Sequence, residues 1–144
     1  MVVEDDPETG QVEFLRYVAV HDHGTIVNPR SLEGQIRGGI AQGIGVALYE
    51  RVAYDADGQN LATSYDEYVV PGAPDVPRIE VAFLQTPSPW TAHGVKGGGE
   101  GGRMIAPPAV TRAVEDALRP FGARIDELPI SMETVVRACT REEA

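Results

Sequence analysis

Apolar residues fall at Ile36, Ile40, Ile44 and Leu48, with Ala47 alongside, and so line one face of a helix. Ser31 is placed to cap its start, behind a loop, His21–Arg30, that Asn28-Pro29 closes. A second stripe runs through Ala109, Val110, Ala113, Val114, Ala117 and Leu118. It predicts a helix opened by Pro107-Pro108 and stopped by Pro120. Ser131 would cap a short third helix holding Val135, Val136 and Cys139. The β-prone runs lie between these stripes. Val12–Val20, with Phe14, Tyr17, Val18 and Val20, is mostly apolar and reads as a well-buried strand. Val2-Val3, across the turn Pro7-Glu8-Thr9-Gly10, reads as a stunted strand. Tyr65–Val70 and Arg78–Gln85 are strand-like, the second with Ile79, Val81 and Phe83 on one face, and Asp55-Ala56-Asp57-Gly58 is a hairpin turn. The elements follow no strict βαβ rhythm. The expected fold is α+β, a mixed sheet with packed helices, as one domain over residues 1–144. The shortness of Val2-Val3 implies that the chain is a fragment or that a partner supplies missing sheet.

Bulk properties exclude some functions without naming one. A chain of 144 residues, 42% hydrophobic and 24% charged, can bury a real core. A net charge of −10 repels phosphate backbones, so neither nucleic acid nor an anionic membrane is an expected partner. No run is long and apolar enough to span a bilayer. Met1-Val2-Val3-Glu4-Asp5-Asp6 lacks the basic start and apolar stretch of a signal peptide. The single cysteine, Cys139, leaves no disulfide framework and no cysteine-based zinc site, and reads as a small buried hydrophobe. A reducing, cytoplasmic location is the expectation.

Glycine changes the picture. Gly34, Gly38, Gly39, Gly43 and Gly45 interrupt the first helix, at about 1 kcal/mol each relative to Ala. Gly34/Gly38 and Gly39/Gly43 have a small-xxx-small spacing that lets another backbone or a ligand come close. The stripe is either a cofactor wall or a tight helix–sheet contact. The stretch from His93 to Gly102 contains G-x-G-x-x-G at Gly97, Gly99 and Gly102. The dinucleotide fingerprint needs a strand just before it and a helix opening within it. Here a proline-containing loop around Trp90 precedes it, and the helix is expected only at the prolines. A P-loop fails too, because Lys96 precedes the glycines. What remains is one carboxylate, Glu100, in a sleeve of small residues. It is a candidate general base, or else a solvated side chain on a surface loop. Lys96 either brings positive charge to that site or pairs with a local carboxylate. His21 and His23 have no third ligand nearby, which argues against a metal pair, and His93 has no assigned role.

Four motifs in order resemble the C-terminal segment of the large subunit of the molybdenum hydroxylases, the xanthine dehydrogenase, aldehyde oxidase and carbon monoxide dehydrogenase family. They are His21-Asp22-x-Gly24-x-x-x-Asn28-Pro29, the run Gly34-Gln35-Ile36-Arg37-Gly38-Gly39-Ile40-Ala41-Gln42-Gly43-Ile44-Gly45, the loop Gly94-Val95-Lys96-Gly97-Gly98-Gly99-Glu100, and Ala106-Pro107-Pro108-Ala109. The resemblance covers the chain from about Val12 to its last helix, and Gly101-Gly102 after the glutamate is a small variation.

The resemblance implies an oxidoreductase carrying out oxidative hydroxylation, with Glu100 as the catalytic base beside molybdenum. It places Gln35 against the molybdopterin, where an amide can donate and accept at once. It implies that Gly38, Gly39, Gln42, Gly97, Gly98 and Gly99 approach the cofactor. No protein metal ligand is expected, since the pterin dithiolene holds the molybdenum. The cofactor implied is Mo-molybdopterin in its cytosine dinucleotide form, with iron–sulfur clusters and FAD on partner subunits. The partners implied are the remainder of the large subunit, an iron–sulfur subunit, a flavin subunit and a small-molecule substrate. Large subunits of the family are several times longer than this chain, so productive cofactor binding is expected only in a larger assembly. The alternative is a non-catalytic remnant or docking domain.

Overall fold

A computed structural model describes residues 1–140, so the expected domain can be followed to Thr140 and residues 141–144 lie outside the described residues. Three strands, β1 (Val2–Asp5), β2 (Val12–Asp22) and β3 (Ile79–Leu84), form a sheet in the order β1-β2-β3. Three α-helices accompany them: α1 (Pro29–Leu48), α2 (Gly101–Ala117) and α3 (Met132–Thr140). β1 runs antiparallel to the first half of β2, from Val2 opposite Arg16 to Asp5 opposite Val12. β3 runs parallel to the second half, from Tyr17 opposite Ile79 to Asp22 opposite Leu84. The sheet is therefore mixed, and the fold is α+β as its sequence implied. α1 lies in the crossover between the parallel pair, so the loops that leave β2 and β3 emerge on the same side of the sheet.

The core lies between the sheet and the helices. Ile36, Ile40, Ile44 and Ala47 of α1 meet Ala106, Val110 and Val114 of α2, with Leu118 after it. Tyr17 and Ala19 of β2, Ile79 of β3, and Ile130 and Val135 close the cluster. The α1 stripe is as expected except that Leu48 is only half-buried. Ser131 caps α3, its hydroxyl accepting from the Thr134 amide at 3.1 Å. Among the described residues no helix is long and apolar enough to cross a membrane.

Four local expectations need correction. β2 is buried on one face only. Leu15, Val18 and Val20 are exposed, at 54%, 41% and 56%, because the helices cover a single side of the sheet. Tyr65–Val70 is not a strand but turn and irregular chain with Tyr65 exposed, having no neighbouring strand to pair with. The cap of α1 is Asn28, whose side chain accepts from the Ser31 amide at 3.1 Å, while Pro29 pre-sets the first helical turn. α2 begins at Gly101, so Pro107 and Pro108 sit inside it. A proline there removes an amide donor and usually breaks a helix. Here the affected turn packs against the bare backbone of α1: a Cβ added at Gly43 would lie 3.1 Å from both the Arg103 carbonyl oxygen and Pro107 Cδ.

One half-buried carboxylate sets a pH dependence. Both carboxylate oxygens of Asp5 are enclosed without a hydrogen-bond donor, and burial pushes this carboxyl up to about 6. The unfolded chain releases the same proton near pH ~3.9. As pH rises from 4 to 6 the unfolded state ionises before the folded one, so this group withdraws stability over that window. Asp5→Asn is expected to stabilise the chain by about 1 kcal/mol at pH 7.5, allowing for screening at a half-exposed site. Urea denaturation at pH 7.5 and pH 4 checks this, since the gain should vanish at the lower pH.

Candidate functional site

The site forms where the parallel strands end. Asp22, the last residue of β2, receives hydrogen bonds from the amides of Gly24 (2.9 Å) and Thr86 (3.1 Å) and from the Thr86 hydroxyl. Lys96 Nζ lies 2.8 Å from its Oδ2 and also donates to Thr86 Oγ1 at 2.7 Å. Lys96 first, then Thr86 and the backbone amides, hold the Asp22 carboxyl well below the usual carboxylate range. Of the two readings for Lys96, the local ion pair is therefore the one realised. Its effect is to tie the start of the glycine loop to the end of β2, helped by the pairing of Gly24 with Val95.

The loop is then tied to α1. Gln35 Nε2 donates to the Gly99 carbonyl at 2.7 Å, one residue before Glu100. Glu100 occupies the residue before α2, is exposed, and makes no capping hydrogen bond with its side chain. In this chain, then, the carboxylate stands free at the helix start, on a backbone that Gln35 and Lys96 fix from two sides.

The glycines divide into two groups. A Cβ added at Gly39 would lie 2.9 Å from the Arg103 amide nitrogen, one at Gly43 2.5 Å from the Ala106 Cβ, and one at Gly102 2.5 Å from the Ile36 carbonyl oxygen. These residues let α1 and α2 touch backbone to backbone, a helix–helix contact in place of the helix–sheet contact considered from sequence. Gly98 is also packed, with Leu32 Cδ1 at 2.7 Å from an added Cβ. Gly34, Gly38, Gly97 and Gly99 differ: a Cβ there would meet nothing within 4 Å. Bare backbone thus faces open space on α1 and on the loop, to either side of Gln35. Gln42, two turns beyond Gln35 on the same face, is exposed as well. An opening of about 320 Å³ lies alongside, bordered by His23, Asn28, Leu32, Gln35, Lys96 and Gly99. Cavities of about 570 and 540 Å³ lie elsewhere, around Arg124–Arg137 and around Gly10–Phe14, and one of about 340 Å³ borders His21 and Gly101 beside Glu100. This surface without side-chain bulk, with an amide at its centre and a carboxylate at its rim, is a fit for a planar, polar cofactor.

One residue singled out in sequence has a structural role at this site, and another had no sequence signal. His23 is buried beneath the loop, with Nδ1 2.9 Å from the Gly97 carbonyl oxygen, and its ring stacks on that of His21. The two rings lie parallel although β2 ends at Asp22, between them. Thr86 joins the Asp22–Lys96 pair from the end of β3, which no local pattern marks. His93 is exposed in the turn Ala92–Gly94, at φ 58°. The α2 helix does open directly behind the glycines, yet the dinucleotide fingerprint still fails, because β3 ends at Leu84, well before Gly97.

Residues 1–77 match the model of a family described as the molybdopterin cofactor-binding domain. Over 96% of the chain, 49% of residues are identical to the nicotine 6-hydroxylase large subunit of Paenarthrobacter nicotinovorans, and the match spans 17% of that subunit. The carbon monoxide dehydrogenase large chain of Hydrogenophaga pseudoflava is 36% identical over 89% of this chain and 16% of its own length. Among solved structures, quinoline 2-oxidoreductase from Pseudomonas putida 86 superposes with a TM-score of 0.94 at 43% identity, covering 98% of this chain and 18% of that one. The chain thus spans about a sixth of the length of the curated relatives it matches.

Proposed function

Because this chain belongs to the molybdopterin cofactor-binding domain family, corresponding to a C-terminal segment of molybdenum hydroxylase large subunits, we propose that it carries the catalytic base and one wall of the cofactor site of an oxidoreductase that hydroxylates a nitrogen heteroaromatic ring. The supporting observation is the pinned loop: Gln35 holds Gly99 at 2.7 Å, so Glu100 is presented next to the bare glycine surface. When bound there, Mo-molybdopterin in its cytosine dinucleotide form supplies the oxygen that is transferred and takes up two electrons. Gly34, Gly38, Gly97 and Gly99, whose added Cβ would meet nothing within 4 Å, would let it approach the backbone. Gln35, which uses one amide N–H on Gly99, would offer its second N–H and its carbonyl oxygen, and Gln42 extends the polar face. Glu100 receives a proton at its carboxylate, a role a carboxylate free of other hydrogen bonds can fill.

The substrate class rests on names. Nicotine 6-hydroxylase and quinoline 2-oxidoreductase, at 49% and 43% identity, are both named for a ring position on a nitrogen heterocycle. The partners proposed are the remainder of the large subunit, an iron–sulfur subunit and a flavin subunit. The uncovered sheet face, with Leu15, Val18 and Val20 exposed, supports the first of these.

Co-expression with the upstream portion of a large subunit, purification through a tag on this chain, and assay of molybdenum and pterin test the reading. Near-equal amounts of metal, pterin and chain are expected, with oxidation of pyridines or quinolines. A chain that purifies alone, folded and free of molybdenum, would instead be the non-catalytic docking domain.

A further inference from the structure

We propose that His23 is a positioning residue for Glu100, clamping the glycine loop through the Gly97 carbonyl while the ring serves, with His21, as the floor on which that loop rests. The inference rests on the reading of Glu100 as the base.

His23 is the one buried polar or charged residue of the described chain, at 5% exposure. Two hydrogen bonds hold the loop to it, and one ring contact joins it to His21. Its Nδ1 lies 2.9 Å from the Gly97 carbonyl oxygen, its own carbonyl accepts the Lys96 amide at 2.9 Å, and its imidazole is parallel to that of His21, with centroids 5.5 Å apart and planes 6° apart. Phe83 of β3 meets the His23 ring edge-on, with centroids 6.4 Å apart. The loop sits directly on the rings. A Cβ at Gly98 would lie 3.5 Å from His23 Nδ1, and one at Gly101 would lie 3.0 Å from His21 Nδ1 and 3.9 Å from His23 Cε1. Glu100 is thus bracketed by two residues, Gly98 and Gly101, that rest on the imidazole pair.

The tautomer follows from the chemistry. A carbonyl oxygen only accepts, so His23 Nδ1 must carry the proton. The other nitrogen, Nε2, is buried with no hydrogen-bond partner. Burying a polar atom without a partner costs the fold free energy. A histidine at this position is therefore a poor choice for packing alone, where an aromatic hydrocarbon would serve, and the Nδ1–H to Gly97 bond is what the imidazole adds. Together with Gln35 on Gly99, it fixes the loop at two carbonyls, one and three residues before the base. A misplacement of about 1 Å at a reacting group can lower the rate about 100-fold, so the clamp acts on turnover rather than on binding.

Two substitutions separate the donor from the ring. His23→Phe keeps a flat ring on His21 and removes the donor; His23→Asn keeps an N–H where Nδ1 stood and removes most of the ring. In the assembled enzyme, His23→Phe is expected to lower kcat about 10- to 100-fold with KM and bound molybdenum unchanged, and His23→Asn to restore most of it. Amide hydrogen exchange of the same complexes should show the Lys96 amide, bonded to the His23 carbonyl, exchanging faster in His23→Phe and near wild type in His23→Asn. Nitrogen NMR of the full-length chain should find His23 protonated at Nδ1. The proposal is overturned by an Nε2-protonated tautomer, by unchanged exchange in His23→Phe, or by a loss of turnover matched by loss of molybdenum. Exchange and tautomer do not depend on metal, so they decide the clamp even if no molybdenum is bound. Conversely, a molybdenum-loaded enzyme inactivated by Glu100→Gln but indifferent to His23→Phe keeps the base and discards the clamp.

Discussion

Glu100→Gln in the assembled enzyme is expected to lower turnover by roughly 10²- to 10⁴-fold, the range for removing a general base, while leaving bound molybdenum and pterin unchanged. The substitution keeps the size of the side chain and removes only its capacity to accept a proton. The structure gives reason to expect little collateral damage. The Glu100 side chain makes no capping bond to α2 and is exposed. The loop is held by the Gly97 and Gly99 carbonyls and by Lys96, none of which involves the Glu100 side chain. Loss of a negative charge at a helix start costs at most about 1 kcal/mol, too little to unfold the domain. Steady-state assay with a pyridine or quinoline substrate, alongside metal analysis, gives the answer. Turnover within a few-fold of wild type would remove Glu100 from the reaction, and loss of metal would make it a cofactor ligand instead.

The second large effect is structural. Gly43→Val is expected to destabilise the chain by about 3 kcal/mol or more. A Cβ at residue 43 would lie 2.5 Å from the Ala106 Cβ and 3.1 Å from the Arg103 carbonyl oxygen, and these belong to helix backbone or its first side-chain atom. Relief would require α1 and α2 to separate, opening the layer of Ile36, Ile40 and Val110 to water. Gly38→Ala, five residues away on the same helix, should do the opposite. Its Cβ meets nothing within 4 Å, so it should gain up to ~1 kcal/mol of helix propensity. If Gly38 borders the cofactor, the same variant should load less molybdenum in the assembly despite its greater stability. Urea midpoints and metal content of the two variants separate the glycines that serve packing from those that serve a ligand. Equal effects of Gly43→Val and Gly38→Ala on stability would mean that the helix contact is not what these glycines are for.

The periodicity of Ile36, Ile40 and Ile44 and of Val110, Val114 and Leu118 was enough to place two helices and their buried faces, because apolar burial acts through local spacing. The alternation of Ile79, Val81 and Phe83 did the same for β3. The motifs around Gln35 and Glu100 by themselves pointed to the family. Local signals failed where a distant neighbour decides. Tyr65–Val70 has β-prone residues and no partner strand, so it stays irregular. Pro107 and Pro108, which read as a helix start, lie inside α2, where the turn before them packs against the bare backbone of α1. The five glycines of α1 were equivalent in sequence and are not in space, since α2 presses on Gly39 and Gly43 and leaves Gly34 and Gly38 open. The contacts that build the site join His23 to Gly97, Gln35 to Gly99 and Asp22 to Lys96, separated by 74, 64 and 74 residues. Sequence by itself determined which chemistry is present, because a carboxylate, an amide and a run of glycines are properties of single residues. Which atoms meet, and which glycines face a neighbour or open space, was decided only when two parallel strands brought their carboxyl ends together and one helix crossed the other.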